Sequence, residues 1–422
     1  MNGLSKGLNL VFVGFLMAAG TVHAQSDLLS RSEVTEAFDR IEASYAQYVD
    51  LQIAISEVPA PPFGEAERAL FMRDQFRSRG LESATIDDAG NVVAIRPGSG
   101  DRTLVLSAHL DTVWPMETDV TVQREGTRLT APGILDDAVG LVSLLALLDA
   151  LEQGDFETET NLLFVGTVGE EGIGDLKGVK HLFRESPFAG NIDAFVSIDG
   201  AGPARIVTGA TASKRYRVTV TGPGGHSYGA FGIVNPAHAL GNIISHFTSM
   251  PVPSDPKTTY SIGRIGGGTS VNTIPQEVWM EVDMRSTSNE ALDALEERFL
   301  AAVEMGVEQE NLFRSASGTK LTVDPKLIGD RPTGQTAETS ALFRAAAESS
   351  RLAGFEPSTG TSSTDSNIPM SMGIPAVTIG GGGTGGGAHR PEEWYDFKDA
   401  HRGVQRLLAM VLLYDAFAAE TP

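Results

Sequence analysis

Leu104-Val105-Leu106-Ser107-Ala108-His109-Leu110-Asp111 is a short apolar run that ends abruptly in an imidazole and a carboxylate. A run of this length is that of a strand, and a strand buried on both faces reads as continuous apolar sequence. The same construction recurs along the chain. Leu162 to Val165 leads to Glu170-Glu171, Phe195 to Ile198 ends at Asp199, and Ala376 to Ile379 precedes His389. Helical patterns alternate with these runs, as in βαβ units that build a parallel sheet. Ligands of open α/β sheets bind outside the carboxyl ends of the strands. Strand ends that all carry imidazole or carboxylate therefore predict one shared pocket. Asp136 reaches it by another route, from the N-terminus of a buried helix predicted over Ala138 to Leu151.

The spacing of these residues adds chemistry. His109 and Asp111 are one residue apart, which in an extended strand points both to one face. One could then ligate a metal while Asp111 orients the imidazole. Asp136-Asp137 also fits simple helix capping, which needs no metal. The adjacent pair Glu170-Glu171 is harder to explain structurally, because neighbouring carboxylates repel unless a cation or shared proton offsets them. One reads as a ligand and the other as a base. His389 follows a glycine-rich loop, Gly380 to Gly387, that lacks the Lys-Ser/Thr ending and following helix of a phosphate cradle. The expectation is a loop whose bare backbone approaches substrate and metal. Together these residues predict two divalent ions about 3.5–4 Å apart that share one activated water. Nitrogen and oxygen ligands without thiolate suit zinc, with cobalt or manganese as substitutes.

Length and charge bound the rest. A chain of 422 residues can bury a full core and predicts two domains. Its 32 basic and 54 acidic residues give a formal charge of -22, which argues against nucleic acid or an anionic membrane as partner. Lys6, the apolar stretch Leu8 to Ala19 and the small-residue pattern Val22-His23-Ala24 read as a signal peptide over 1–24. The expectation is an exported protein, periplasmic or secreted, without stable membrane insertion after processing. The chain has no cysteine, so neither a disulfide nor a thiol-linked lipid can form.

A second unit begins near Ser213, where alternation sets in over Arg215 to Thr221. A helix over Asn235 to Met250 follows, then strands near Thr259 to Ile265 and Glu277 to Met284, a helix over Asn289 to Phe313, and a last strand near Leu321 to Val323. This β-α-β-β-α-β order is that of the ferredoxin-like split pattern. The unit is read as an insertion over 213–327, with 25–212 and 328–422 forming one domain closed by an amphipathic helix at Val404 to Phe417.

Ser107-Ala108-His109-Leu110-Asp111, Gly133-Ile134-Leu135-Asp136-Asp137, Gly169-Glu170-Glu171-Gly172 and the terminal glycine-rich loop with His389 resemble the aminoacylase, carboxypeptidase G and peptidase T family. The resemblance covers nearly the whole mature chain. It implies an α/β, mostly parallel-sheet zinc-peptidase domain with an inserted ferredoxin-like α+β lid through which a homodimer could form. It further implies that His109, Asp136 and Asp199 hold one zinc and Asp136, Glu171 and His389 the other, with Asp136 bridging. Glu170 would be the general base. His226 in Gly224-Gly225-His226-Ser227 resembles the lid histidine that helps stabilise the transition state, and Asn272 and Arg285 match lid positions that contact substrate. His181, His238, His246 and His401 lack a second ligand at metal spacing and read as surface or packing residues. One departure is Ala138, where many members carry a Lys, which weakens a match to the acetylornithine and succinyl-diaminopimelate deacylases.

Within that family an Asp at position 199 resembles the amino- and dipeptidases, and Gly169 to Gly178 resembles the peptidase T branch. The expected reaction is removal of an N-terminal residue from short peptides. Arg285 could instead anchor a substrate carboxylate, which leaves a carboxypeptidase or a deacylase of N-acyl amino acids as the alternative. A binding protein that kept the metals and lost hydrolysis is a third reading, which the intact ligand set and base oppose.

Overall fold

The structure is a computed structural model that describes residues 31–314 and 318–420. The expected signal peptide lies outside the described residues. Contacts divide the chain into two units, one built from the residues up to Gly209 and from Gln335 onward, the other from Ala210–Gly334. Among the described residues no helix is long and apolar enough to cross a membrane.

The first unit is organised by a mixed eight-stranded sheet in the order Thr85–Ile86, Val92–Arg96, Asn161–Thr167, Thr103–His109, Ala194–Ile198, Ala376–Ile379, Arg205–Ala210, Ser358–Ser362. Its four central strands are parallel. Every residue of Thr103–His109, Ala194–Ile198 and Ala376–Ile379 is buried, as expected for strands covered on both faces. From Thr103–His109 the chain pairs first to one side, at Asn161–Thr167, and then to the other, at Ala194–Ile198. This reversal is a topological switch point, where the loops beyond adjacent strands part and open a crevice. His109, Glu170, Glu171 and Asp199 lie at or just past the carboxyl ends that border it.

Helix Ala138–Gln153 is apolar almost all round and is buried accordingly, against the central strands and against helices Ser32–Ser56 and His401–Ala419. Helix His401–Ala419 differs from expectation. Instead of covering the sheet with one apolar face, it is buried on nearly every side, and Arg406, whose charge makes the segment read as amphipathic, is fully buried with no hydrogen-bond partner for its guanidinium among the described residues. Burial pushes the Arg406 pKa down to about 10.

The glycine-rich loop also departs from its reading. A Cβ at Gly381 would overlap Ser143 Oγ and Val139 Cγ1 of the buried helix, so the bare backbone there serves protein packing. Farther along, Thr384–Gly386 pairs with Trp394–Asp396, which continues through Arg128–Thr130 to Gln123–Glu125 as a small antiparallel sheet. The turn that carries His389 springs from this sheet, with His389 itself at φ 64°.

In the second unit the sheet order is Thr258–Gly267, Glu277–Ser286, Ala212–Thr221, Thr322–Arg331, antiparallel throughout. Helices Pro236–Thr248 and Asn289–Phe313 pack on one face around Phe247, Phe299 and Met280. The last strand runs well past Val323 because Pro325 and the charged residues after it hide its alternation, and an edge strand tolerates proline. The unit is correspondingly wider than 213–327.

Gly140 sits where helix, strand and turn meet, and a Cβ there would overlap Ile198 O and the Asp137 carboxylate. Gly140→Ala is expected to cost about 1–3 kcal/mol by overpacking, read as a lowered unfolding midpoint.

Candidate metal centre

Asp137 is the N-cap of helix Ala138–Gln153, and its carboxylate does more than cap. Oδ1 accepts from Gly140 N at 3.0 Å and from Gly200 N at 3.1 Å, while Oδ2 accepts from His109 N at 3.1 Å. One buried side chain thus ties the helix start to two strand ends. The capping role belongs to Asp137, which leaves its neighbour Asp136, across a cis peptide bond, facing the crevice.

Asp136 lies between the two histidines. Its Oδ1 is 2.8 Å from His109 Nε2 and its Oδ2 is 3.2 Å from His389 Nε2. His389 Nε2 is also 2.7 Å from Glu171 Oε1. Among the described residues, three sets of side chains offer ligand atoms within 4.8 Å of one another: His109 with Asp136 and Asp199; Asp136 with Glu171 and His389; His109 with Glu170 and Glu171. Asp136 is common to the first two. Glu170 is 6% exposed and His389 is 52% exposed, so the site has a closed wall and an open one.

Asp111 does not take the position its spacing implies. The His109 Nδ1 proton is directed to the Asp111 carbonyl oxygen, 2.9 Å away, and the carboxylate Oδ1 stands off at 3.7 Å, beyond a hydrogen bond. The carboxylate is turned to the next strand end, where it accepts from Glu170 N at 2.9 Å and Glu171 N at 2.8 Å. Asp111 therefore orients His109 through its backbone and the two glutamates through its side chain. The strand ends at His109, so the face rule does not extend to Asp111.

Three further residues that sequence reasoning missed complete the frame. Glu393 is buried, and its Oε1 accepts from Leu135 N at 2.8 Å and Asp136 N at 3.0 Å. Glu65 Oε1 accepts from Gly169 N at 3.0 Å, just ahead of the glutamate pair. Asp365 Oδ2 accepts from Thr167 Oγ1 at 2.6 Å. The Thr364-Asp365-Ser366 run was a readable signal for Asp365; Glu393 and Glu65 stand in no motif.

The electrostatics call for positive charge. Burial pushes the Asp199 carboxyl up to about 7, with Asp136, Glu171 and Asp365 adding to it and His109 opposing. Burial likewise raises Asp137 well above the usual carboxylate range, and Asp199 and Asp136 reinforce that. Burial acts against ionisation of Asp136 too, yet the bonds from His109 and His389 win and hold its carboxyl low. The bonds to Asp136 and Glu171 raise His389 to about 10. Imidazolium protons thus stand where cations could offset the carboxylates, and the imidazole and carboxylate donors fit divalent ions of zinc type.

Residues 105–413 match Peptidase family M20/M25/M40. The chain belongs to that family. A relative, the uncharacterised protein YqjE of Bacillus subtilis, is 26% identical over 75% of this chain and 84% of its own length. The succinyl-diaminopimelate desuccinylase of Corynebacterium glutamicum is 25% identical over 77% of this chain and 86% of its own. Among solved structures, the aminopeptidase PepT of Bacillus cereus superposes with a TM-score of 0.68 at 23% identity, covering 87% of this chain and 98% of that one. As an M20 member the chain is a metallopeptidase of the hydrolase class.

The inserted unit holds the other expected residues. His226 is exposed, in a two-stranded ribbon opposite Thr273, and its Nδ1 accepts from Tyr228 N at 3.2 Å and Gly229 N at 3.3 Å. That leaves the proton on Nε2, which makes the ring a donor. Asn272 adjoins the same ribbon, with its backbone oxygen bonded by Ser227 N at 3.0 Å and its Oδ1 by Ser270 Oγ at 2.7 Å. Arg285 lies on the sheet instead, bonded to Asp283 at 2.7 Å.

Removing a carboxylate that orients ligands typically costs about 10–100-fold in metal affinity. Asp111→Ala and Glu393→Ala are both expected to fall in that range in a zinc competition titration.

Proposed function

We propose that this chain is an exported two-zinc peptidase that removes the N-terminal residue from short peptides. The observation that carries the reading is the convergence of His109, Asp136, Glu171, Asp199 and His389, with Glu170 beside them. His109, Asp136 and Asp199 would hold one ion and Asp136, Glu171 and His389 the second, with cobalt or manganese as substitutes for zinc. When bound, such ions act as Lewis acids toward the scissile carbonyl and lower the pKa of water. Asp137, Asp111 and Glu393 keep the ligand-bearing loops in place by bonding their backbone N–H groups.

Proton transfer falls to Glu170. Its main chain is held by Asp111, and it belongs to a cluster with His109 and Glu171. A carboxylate so placed takes a proton from the attacking water and returns it to the leaving amine. By the resemblance, His226 would serve as an Nε2–H donor that helps stabilise the transition state. The resemblance likewise makes Asn272, which adjoins the His226 ribbon, and Arg285 candidates for substrate contact. Support for export is the leader pattern before Gln25.

A carboxypeptidase or N-acyl-amino-acid deacylase is the second reading, favoured by the desuccinylase relative. Products separate the two. Zinc-loaded mature protein given free tripeptides, N-blocked dipeptides and N-acetyl-amino acids is expected to release N-terminal residues from the free peptides alone. Cleavage of blocked substrates moves the assignment to the second reading. Glu170→Gln is expected to lower kcat by about 10²–10⁴-fold with metal content unchanged, measured by initial rates and metal analysis on the same sample.

A further inference from the structure

Phe63 is a bulky aromatic residue in a conformation that calls for glycine. Gly64 N donates to Pro61 O at 2.8 Å and closes a turn over Pro61-Pro62-Phe63-Gly64, in which Phe63 takes φ 69°. A turn with positive φ at its third residue favours glycine or asparagine there, and a large side chain is strained in it. The neighbouring glycine does not relieve the turn. It serves close packing, since a Cβ at Gly64 would lie 2.9 Å from both Met116 Cε and Pro61 Cγ. Nor does the Phe63 ring serve the core, for the residue is 62% exposed. Strained residues persist only where their surroundings over-determine them, and they gather at active sites and ligand clamps.

The surroundings of this turn belong to the metal centre. Thr112 N, just past Asp111, donates to Ala60 O at 2.8 Å. The buried Arg68 donates through Nη1 to Leu110 O at 2.8 Å and through Nε to Val58 O at 3.1 Å, so one guanidinium holds both the strand end and the approach to the turn. Glu65 adds a third tie, with Oε1 accepting from Gly169 N at 3.0 Å. Burial raises the Glu65 carboxyl, with Asp111 adding to that, while bonds from the backbone of Glu65, Phe63 and Gly169 oppose it. One carboxylate therefore holds the backbone of Phe63 beside that of Gly169, the residue before Glu170. The large apolar side chains exposed in the first unit are, among the described residues, Phe63, Leu70, Met116, Ile173 and Met372. Of these, Phe63, Met116 and Ile173 stand on the segments that carry Glu65, Asp111 and the Glu170-Glu171 pair.

We propose that Phe63 and Met116 form an apolar lip beside the Glu170-Glu171 turn that takes an aliphatic side chain of the substrate, so that favoured substrates are short peptides with a leucine-like residue next to the scissile bond. This rests on the peptidase reading above and names its substrate class. The occupant follows from the place. Residues of an extended peptide are about 3.3 Å apart along the chain, so a substrate whose scissile carbonyl reaches the ligands brings its flanking side chains close to the turn that bears the base. Small-molecule sites are lined mainly by apolar and aromatic side chains, and methionine adapts to the shape it meets. An exposed ring at a strained position adds little to folding, and its gain comes on binding.

Binding without turnover tests it. The full-length Glu170→Gln chain, loaded with zinc, is titrated calorimetrically with leucyl-alanyl-alanine, with alanyl-leucyl-alanine and with the asparagine counterpart of each, which is close to leucine in shape. At least one leucine peptide is expected to bind about tenfold or more tightly than its counterpart, and the position of that leucine tells which side of the scissile bond the lip serves. Adding Phe63→Asn is expected to erase most of the preference while the unfolding midpoint stays at or above that of the parent, because asparagine suits the positive φ. A residue that served the fold alone would show the reverse. Met116→Gln is expected to weaken the preference as well, and Met372→Gln, at an exposed apolar side chain of another segment, to leave it intact. No difference between leucine and asparagine peptides in the parent chain, absence of binding included, overturns the proposal, as does a full preference surviving in both Phe63→Asn and Met116→Gln. Loss of self-association in Phe63→Asn, read by sedimentation, with the preference intact assigns the lip to a contact between copies and overturns it too. Selective binding by a chain whose native form hydrolyses none of these peptides contradicts the peptidase reading and leaves this one standing.

Discussion

The carboxylate of Asp137 accepts backbone N–H bonds from His109, Gly140 and Gly200, and the rest of the site depends on that arrangement. A parallel sheet brings strand ends to one edge, but it does not set the direction of the loops that leave them. A buried carboxylate with three N–H donors does, because leaving any of those donors unbonded away from water costs about 1–3 kcal/mol. Gly140 is part of the same constraint, since only a residue without Cβ fits under that carboxylate. Asp111 repeats the device at the Glu170-Glu171 turn and Glu393 repeats it at Asp136. Three acidic residues that face backbone thus fix the acidic residues that face the crevice.

Such a frame concentrates negative charge where solvent cannot dilute it. Asp136 and Glu171 help to raise the Asp199 carboxyl, Asp199 and Asp136 help to raise that of Asp137, and the histidines answer by holding protons. Divalent ions held by His109, Asp136, Glu171, Asp199 and His389 would supply that positive charge instead, with the imidazoles neutral, the form in which they ligate.

Much of this was legible because strand burial and strand termination both leave plain marks. The runs before His109, Glu170, Asp199 and Ile379 are continuous and apolar, and each ends in chemistry or in glycine, so the parallel core and the convergence of the ligands could be read from them. The H-x-D spacing misled because a two-residue periodicity holds only within a strand, and Asp111 lies beyond its end. Glu393 and Glu65 were illegible because their partners are backbone groups hundreds or scores of positions away, which no local pattern encodes. The small sheet that supports His389 is built of strands too short to show a period. Arg406 disguised a buried helix as an amphipathic one, since a lone cation is normally a mark of solvent.

The number of metal ions the chain holds tests the shared position of Asp136 most directly. Metal-depleted full-length protein titrated with zinc, and counted independently by elemental analysis after dialysis, should take up two ions per chain. His389→Ala should retain the ion shared by His109, Asp136 and Asp199 and lose the other. A native stoichiometry of one, or a His389→Ala chain that still binds two, would contradict the shared position of Asp136 on which the reading is built.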